Sequence, residues 1–419
     1  MSVFPKDPNI LKVIKDVEVY APEPMGRMNV LIAGGVIACL HAGTSPLGRF
    51  EWEVIDGTGK LLVPGFIDGH VHILGGGSEG YAFRTPELML SDLTTGGVTT
   101  VIGCLGTDGT TRSMASLLAK ARGLEAEGVT TFIYTGSYRV PVGTLTSSVQ
   151  EDLILIDKVI GVGEIALSDH RSSQPTFEEV ARIAADVRVG GMIAGKTGVV
   201  NIHMGDGQRM LALIEQIISE TEIPAKHFVP THINRNAGLF EAGIAYAKQD
   251  TGRGRHIDLT TSLMTDSTDL SCGNGLLRLL QAGVSIDSIS FSSDAQGSLP
   301  LFNSAGEMIG LGIGRIDTLF GEVRRAVRDH GVPLELALRV ITSTPAAYLG
   351  LPSKGTIRVG ADADLVLLTQ DLEIDTVLAK GQIMVRDHEI KRLGTFEQSV
   401  MDNLEWKKRY LGPHPGFCD

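Results

Sequence analysis

Six residues of this 419-residue chain have side-chain types and spacings that could hold metal ions: the pair His70 and His72, then Glu164, His203, His232 and Asp294. A lone histidine is more often a hydrogen-bonded core or surface residue than a ligand, but the positions of these change that weighting. His70 and His72 close the run PGFIDGHVH, where the two-residue period of a strand turns both rings to one face. Glu164 lies inside the apolar run VIGVGEIAL, where a carboxylate is costly without a cationic partner. His203 in NIHMGDG, His232 in VPTHINRN and Asp294 in ISFSSDAQGS each end a strand-like run. Four imidazole nitrogens, a bridging carboxylate and Asp294 would hold two divalent ions a few ångströms apart, with water or hydroxide between them. Imidazole favours zinc-like ions over magnesium or calcium. Such a pair lowers the pKa of bound water towards neutrality and polarises the carbonyl it attacks, so the expected chemistry is hydrolysis.

For these side chains to meet, their strands must lie side by side with their carboxyl ends together. The middle of the chain alternates short β-branched runs with stretches of helical period, as repeated βα units around a parallel sheet do. Strands are expected near 62–72, 98–105, 131–138, 159–167, 198–204, 227–232, 256–262 and 289–294. Between them, segments such as TFEEVARIAADVRVGG and RMLALIEQIISETE carry apolar residues at three- and four-residue steps. Eight repeats predict an α/β fold, a (β/α)8 TIM-like barrel forming a catalytic domain over 64–349, with the site at the carboxyl ends of its strands. Residues 1–63 and 350–393 instead contain short alternating strands and turn signals such as Asp56-Gly57. Neither piece has enough strands to stand alone, so the two are expected to form one small β-sandwich domain built from both termini. Residues 394–419 read as a C-terminal tail.

Composition excludes several classes. With 43% hydrophobic residues, disorder is ruled out as the main state. Against 37 Lys and Arg stand 49 Asp and Glu, a net charge of −12 that repels nucleic acid and anionic membranes, and neither is an expected partner. The scattered Cys39, Cys104, Cys272 and Cys418 read as reduced thiols, the first two in core strands. The first residues lack a continuous apolar signal region, and no apolar stretch reaches the roughly 18 to 20 residues that span a bilayer. A cytoplasmic protein is expected.

The order H-x-H, strand-four carboxylate, His, His, Asp resembles the amidohydrolase superfamily. Within it, PGFIDGHVH, GGGSEG, RTPE, GVTTVIGCLGTD, TGSYRVP, VIGVGE, SDHRS, NIHMGDG, THINRN and SSDAQGS resemble the isoaspartyl (β-aspartyl) dipeptidases. The resemblance implies hydrolysis of small isoaspartyl dipeptides by a metal-bridging hydroxide, with two Zn2+ or similar ions per chain in a homo-oligomer. It implies that His70 and His72 bind one metal, that His203 and His232 bind the other, and that Asp294 ligates a metal and shuttles the proton. Glu79 falls where the family recognises the substrate's α-ammonium, and Tyr138 where a phenol stabilises the developing oxyanion. Arg171 and Arg235 match carboxylate-holding positions, and Thr107 and Ser298 match smaller polar contacts. These residue types also suit the substrate on their own. One ammonium and two carboxylates call for about one anionic and two cationic groups, and guanidinium binds carboxylate bidentately. Gly75, Gly76 and Gly77 would offer backbone N–H groups nearby, with Gly77 counted among the substrate contacts.

The chain departs from the superfamily pattern at strand four, where a carboxylated lysine would bridge the metals. Here the strand reads VGEIALSDHRS. Counting back from SDHRS leaves Glu164 one place early or one residue inserted, and counting forward from VIGV reaches Gly163. Glycine cannot ligate, so the bridge is assigned to Glu164 over Lys158 and Lys196. Its side chain is three bonds shorter than a lysine carbamate, roughly 3 to 4 Å less reach at about 1.5 Å per bond. The strand must therefore approach the metals more closely, and an inserted residue forming a bulge is one way to do so. The alternative reading is another amidohydrolase, a cyclic-amide hydrolase or an N-acyl amino acid deacylase. Glu79, Arg171 and Arg235 favour the dipeptidase. A mononuclear deaminase is disfavoured because MGD follows His203, and an inactive scaffold because all six candidate ligands are present.

Overall fold

The structure, a computed structural model, describes residues 11–43, 51–77, 80–250, 254–262, 270–302 and 308–398. Alternating apolar residues set up its first strands. β1 (Leu11–Tyr20) buries Val13, Ile14, Val17 and Val19 and pairs antiparallel with β2 (Pro24–Ala33), which pairs in turn with β3 (Val36–His41). β4 (Glu53–Asp56) and β5 (Leu61–Pro64) run parallel to β1.

The next eight strands form the frame of the site. β6 (Phe66–Val71), β7 (Val98–Gly103), β8 (Thr130–Thr135), β9 (Val159–Leu167), β10 (Val199–Met204) and β11 (Phe228–Thr231) make one parallel sheet in chain order. β12 (Ile257–Thr260) pairs in parallel with β13 (Ile289–Ser292). The Thr231 hydroxyl at the end of β11 donates to Asp258 of β12 at 2.7 Å. Beyond β13, Asp294 N donates to His70 O at 3.1 Å and Val71 bridges Ala295 in the parallel sense. The eight strands therefore follow one another round an α/β barrel. Among the helices alternating with them are α1 (Leu90–Thr95), α2 (Met114–Glu127), α3 (Val149–Leu155), α4 (Phe177–Ala194) and α5 (Ala212–Glu220). In α4 the signals are local. The Thr176 hydroxyl accepts from Glu179 N, and the Glu179 carboxylate accepts from Thr176 N in return. Val180, Ile183, Ala184 and Val187 form the buried stripe, and Gly195 ends the helix in the left-handed conformation.

After β13 come the hairpin of β14 (Ser298–Phe302) and β15 (Met308–Ile313), further helices, and then β16 (Leu365–Leu368), β17 (Ile374–Ala379), β18 (Gln382–Arg386) and β19 (Glu389–Ile390). β16 pairs antiparallel with β5, Leu365 opposite Pro64 and Leu368 opposite Leu61, so strands from both ends of the chain share one nine-stranded sheet. The hydrogen bonding through this small β domain built from both termini is continuous. The reason is positional: β5 leads directly into β6, and β16 follows the last barrel helices, so both leave the same region of the barrel. The period of two then divides β16, with Val366 and Leu368 joining the barrel's core and Leu365 and Leu367 joining the sheet's own cluster with Ile14, Ile32 and Leu62. Each such fully buried side chain contributes about 1.5 to 3 kcal/mol, which fastens the sheet to the barrel. Among the described residues, no helix is long and apolar enough to cross a membrane. Most of the tail, including the latter part of its helix-like segment, lies outside the described residues.

Candidate metal centre and active site

All nine residues of β9 are buried, and Glu164 is its one charged side chain. Its pairing with β10 slips there. Val162 lies opposite Val200 and Ile165 opposite Ile202, which leaves β9 with one extra residue in a bulge at Gly163 and Glu164. The spacing anomaly in the sequence corresponds to this bulge. Gly163 has φ +148, and a Cβ on it would stand 2.7 Å from Asn201 O and 2.9 Å from Asn201 Cβ, so the close approach of the two strands needs glycine.

The remaining candidates converge on the Glu164 carboxylate. Its Oε2 lies 3.2 Å from His203 Nδ1, 3.3 Å from His70 Nε2 and 3.7 Å from His232 Nε2, and its Oε1 lies 3.4 Å from His72 Nε2. Asp294 Oδ1 closes the other side, 3.0 Å from His72 Nε2 and 3.6 Å from His70 Nε2. Outer partners aim three of the rings inward: Asn201 Oδ1 at 2.9 Å from His70 Nδ1, Thr260 Oγ1 at 2.6 Å from His232 Nδ1, and Asp169 Oδ2 at 3.0 Å from His203 Nε2.

This donor set fits metal ions. His70 Nε2, Glu164 Oε1 and Asp294 Oδ1 are buried with no hydrogen-bond partner, a state costly for polar atoms and relieved by a cation among them. The charge balance points the same way. Burial works against a carboxylate at Glu164, yet the His70, His203 and His232 imidazoles around it hold its pKa well below the usual range. Burial likewise opposes ionisation of Asp294, but the His72 imidazole beside it brings its pKa down to about 2. His232 is pushed down to about 3 by burial and by His203, which leaves a neutral ring with a free lone pair.

Asp169, two residues before Arg171, was not singled out by the sequence. It accepts Arg171 Nε at 3.0 Å and Nη2 at 2.8 Å while also receiving His203 Nε2–H, so one buried carboxylate orients a candidate ligand and a candidate substrate-binding arginine. Asp169→Asn is expected to weaken metal retention by the roughly 10- to 100-fold typical of outer partners of ligating histidines. Competition against a chelator measures this, and retention equal to the unmodified protein would make the contact incidental.

A cavity opens over the cluster. His72, His203 and Asp294 line it together with Gly77, Thr107, Tyr138, Arg171, Arg235 and Ser298, which brings every described substrate-side candidate to one place. Glu79 lies outside the described residues. Gly75 N and Gly76 N are already engaged, by His72 O at 2.6 Å and by Gln296 O at 3.0 Å, and Gly76 and Gly77 both line the cavity. The Tyr138 hydroxyl donates to His203 Nδ1 at 2.8 Å, and Arg235 Nε donates to Met204 O at 2.9 Å. Neither lysine near strand four reaches the cluster. Lys158 donates to Thr131 O at 3.1 Å and pairs with Glu125, and Lys196 donates to Leu153, Ile156 and Val159 carbonyls at 2.7 Å. Cys104, read from the sequence as a core thiol, is fully buried and also lies beside His70, His72 and Glu164. Its position one residue past a strand end, like that of His72, was the signal available.

Comparison with known proteins agrees with this geometry. The profile of the amidohydrolase family matches residues 61–384. The β-aspartyl dipeptidase of Fervidobacterium islandicum AW-1, solved with a β-Asp-Leu dipeptide, is 46% identical, with a TM-score of 0.86 over 93% of this chain and 100% of that one. An L-hydantoinase of Paenarthrobacter aurescens is 23% identical over 88% of this chain and 87% of its own. Dihydropyrimidinase of Brevibacillus agri shares the fold at 18% identity and a TM-score of 0.64, over 92% of this chain and 97% of that one. Joined by the match that runs from β5 into β18 and by near-half identity to a relative covered over its whole length, the chain belongs to the amidohydrolase family, in the company of the β-aspartyl dipeptidases.

Proposed function

We propose that this chain is a binuclear zinc-type metallo-dipeptidase that hydrolyses isoaspartyl dipeptides. The observation that supports this most is the pairing of two guanidinium groups, Arg171 and Arg235, with His72, His203 and Asp294 on one cavity, a charge pattern matched to a dicarboxylate. The 46% identity to a dipeptidase solved with β-Asp-Leu supports the same reading. His70 and His72 would hold one ion and His203 and His232 the other, with Glu164 as the shared carboxylate, and such ions would supply a hydroxide at neutral pH and polarise the scissile carbonyl. The chain's own residues do the rest. Arg171, its fork steadied by Asp169, and Arg235 hold the substrate carboxylates, with Thr107, Ser298 and Gly77 as smaller contacts. Glu79 takes the α-ammonium. Burial and then the Glu164 charge push the Tyr138 phenol well above its ordinary range, so it stays protonated and donates to the carbonyl oxygen as charge develops there. Asp294, ionised at neutral pH, accepts the proton of the nucleophile and delivers it to the leaving amine. A homo-oligomeric assembly and a cytoplasmic setting complete the proposal on the resemblance alone.

The test combines metal analysis with three substrates. Protein purified without chelator should carry close to two equivalents of a zinc-like metal and should cleave β-Asp-Leu but not α-Asp-Leu. N-acetyl-β-Asp-Leu should be a poor substrate because Glu79 then faces an uncharged amide. Equal cleavage of the acetylated and free dipeptides would overturn the role of Glu79 and move the reading to a deacylase.

A further inference from the structure

The barrel brings a seventh donor into the metal cluster. β6 ends at Val71 and β7 at Gly103, which lie opposite each other, so His72 and Cys104 are the first residues beyond two paired strands. Cys104 N donates to Val71 O at 3.0 Å, which extends the pairing by one residue and fixes the two side chains next to each other. The Cys104 side chain is fully buried, with Sγ 3.6 Å from Val71 O and 3.9 Å from His72 Nδ1. One donor atom each from His70, His72, Cys104 and Glu164 fall within 4.8 Å of one another. In the same pocket His70 Nε2 and Glu164 Oε1 are buried without hydrogen-bond partners.

We propose that Cys104 is a thiolate ligand of the ion held by His70 and His72, which completes a two-histidine, one-cysteine, one-carboxylate set at that half of the site. The inference rests on the metal-dependent reading above and goes beyond the ligand set that the resemblance implies. Donors sharing one tetrahedral zinc stand about 3.3 to 3.8 Å apart, given bond lengths of about 2.0 to 2.3 Å, so the observed cluster needs only a small contraction to close on an ion. On binding, the S–H bond breaks, its proton goes to solvent, and a sulfur–metal bond forms. A thiolate also selects: it favours zinc-like ions over magnesium or manganese at this position more strongly than imidazole and carboxylate do alone.

Cobalt(II) reports directly on sulfur ligation. The metal-free protein titrated with Co2+ should develop a near-ultraviolet sulfur-to-cobalt charge-transfer band beside the visible bands of the bound ion. A variant with Cys39, Cys272 and Cys418 all replaced by serine should keep that band. Cys104→Ser should lose it and weaken Co2+ binding by at least the roughly 10- to 100-fold that even outer contacts of metal sites command. X-ray absorption of the unmodified zinc protein, which needs no variant to fold, should show a sulfur scatterer at about 2.3 Å. Visible cobalt bands without the charge-transfer band, or a zinc shell of nitrogen and oxygen only, would overturn the role of Cys104 and leave the metal-dependent reading standing. Failure to take up Co2+ or zinc at all would overturn both.

Discussion

Asp294→Asn is expected to lower the turnover of β-Asp-Leu by at least the roughly 10²- to 10⁴-fold typical of a general acid–base group, with metal content and fold retained. The backbone at 294 is left-handed, φ +54, held by Asp294 N donating to His70 O at 3.1 Å and by Gly297 N donating to Asp294 O at 3.0 Å. Asparagine tolerates that conformation better than any other side chain of similar size, so the exchange isolates the chemistry. A Cβ at Gly297 would stand 2.7 Å from Asp294 Oδ1, so the glycine leaves room for the carboxylate. With its pKa held at about 2, the carboxylate is ionised across neutral pH and can accept a proton, which an amide cannot do. Steady-state kinetics, circular dichroism and metal analysis on the same preparation check the result. Near-normal turnover would remove Asp294 from the proton path.

Glu164→Gln is expected to strip the chain of at least one of the two metal equivalents proposed for it and, with it, nearly all activity. Four imidazole nitrogens approach one carboxylate within 3.2 to 3.7 Å, and the neutral amide removes a negative charge that would offset repulsion between two dications. The same assignment carries a second outcome. A lysine carbamate forms reversibly from carbon dioxide, whereas a glutamate needs none. Zinc reconstitution of metal-free protein in carbon-dioxide-depleted buffer should therefore restore the same activity as reconstitution with bicarbonate. Strong stimulation by bicarbonate, or full metal retention in the glutamine variant, would transfer the bridge to another group.

Much of the frame was legible because period and punctuation are local properties. The strand expected at 159–167 coincides with β9, and those at 198–204 and 289–294 contain β10 and β13, since each run is short, β-branched and bounded by turn or helix signals. The metal cluster was legible for a related reason. The carboxyl ends of parallel barrel strands gather at one mouth whichever strand carries them, so ligand-type residues near those ends, such as His72, His203 and Asp294, could be grouped without any tertiary information. Glu164 was legible as an exception, a charge inside an apolar strand. Asp169 left no comparable mark, and Cys104 left only its place one residue past a strand end. A carboxylate beside an arginine and a cysteine in an apolar run have common structural explanations, and only their neighbours across the barrel distinguish these two.

The alternation of strands and helices, the donor types and their order along the chain are local information, because hydrophobic period, glycine placement and side-chain chemistry are written residue by residue. How those donors share space depends on contacts between segments remote along the chain. The one-residue slip between β9 and β10 is a relation between two strands, and it is that slip, with Gly163 packed on Asn201, that brings a short glutamate up to the four histidines. The continuous sheet joining β5 to β16 likewise depends on residues 61–64 meeting residues 365–368, about three hundred positions away. Such contacts form when the barrel closes, since closure brings strand ends that are remote along the chain within hydrogen-bond reach, and no local pattern encodes which remote partner each will meet.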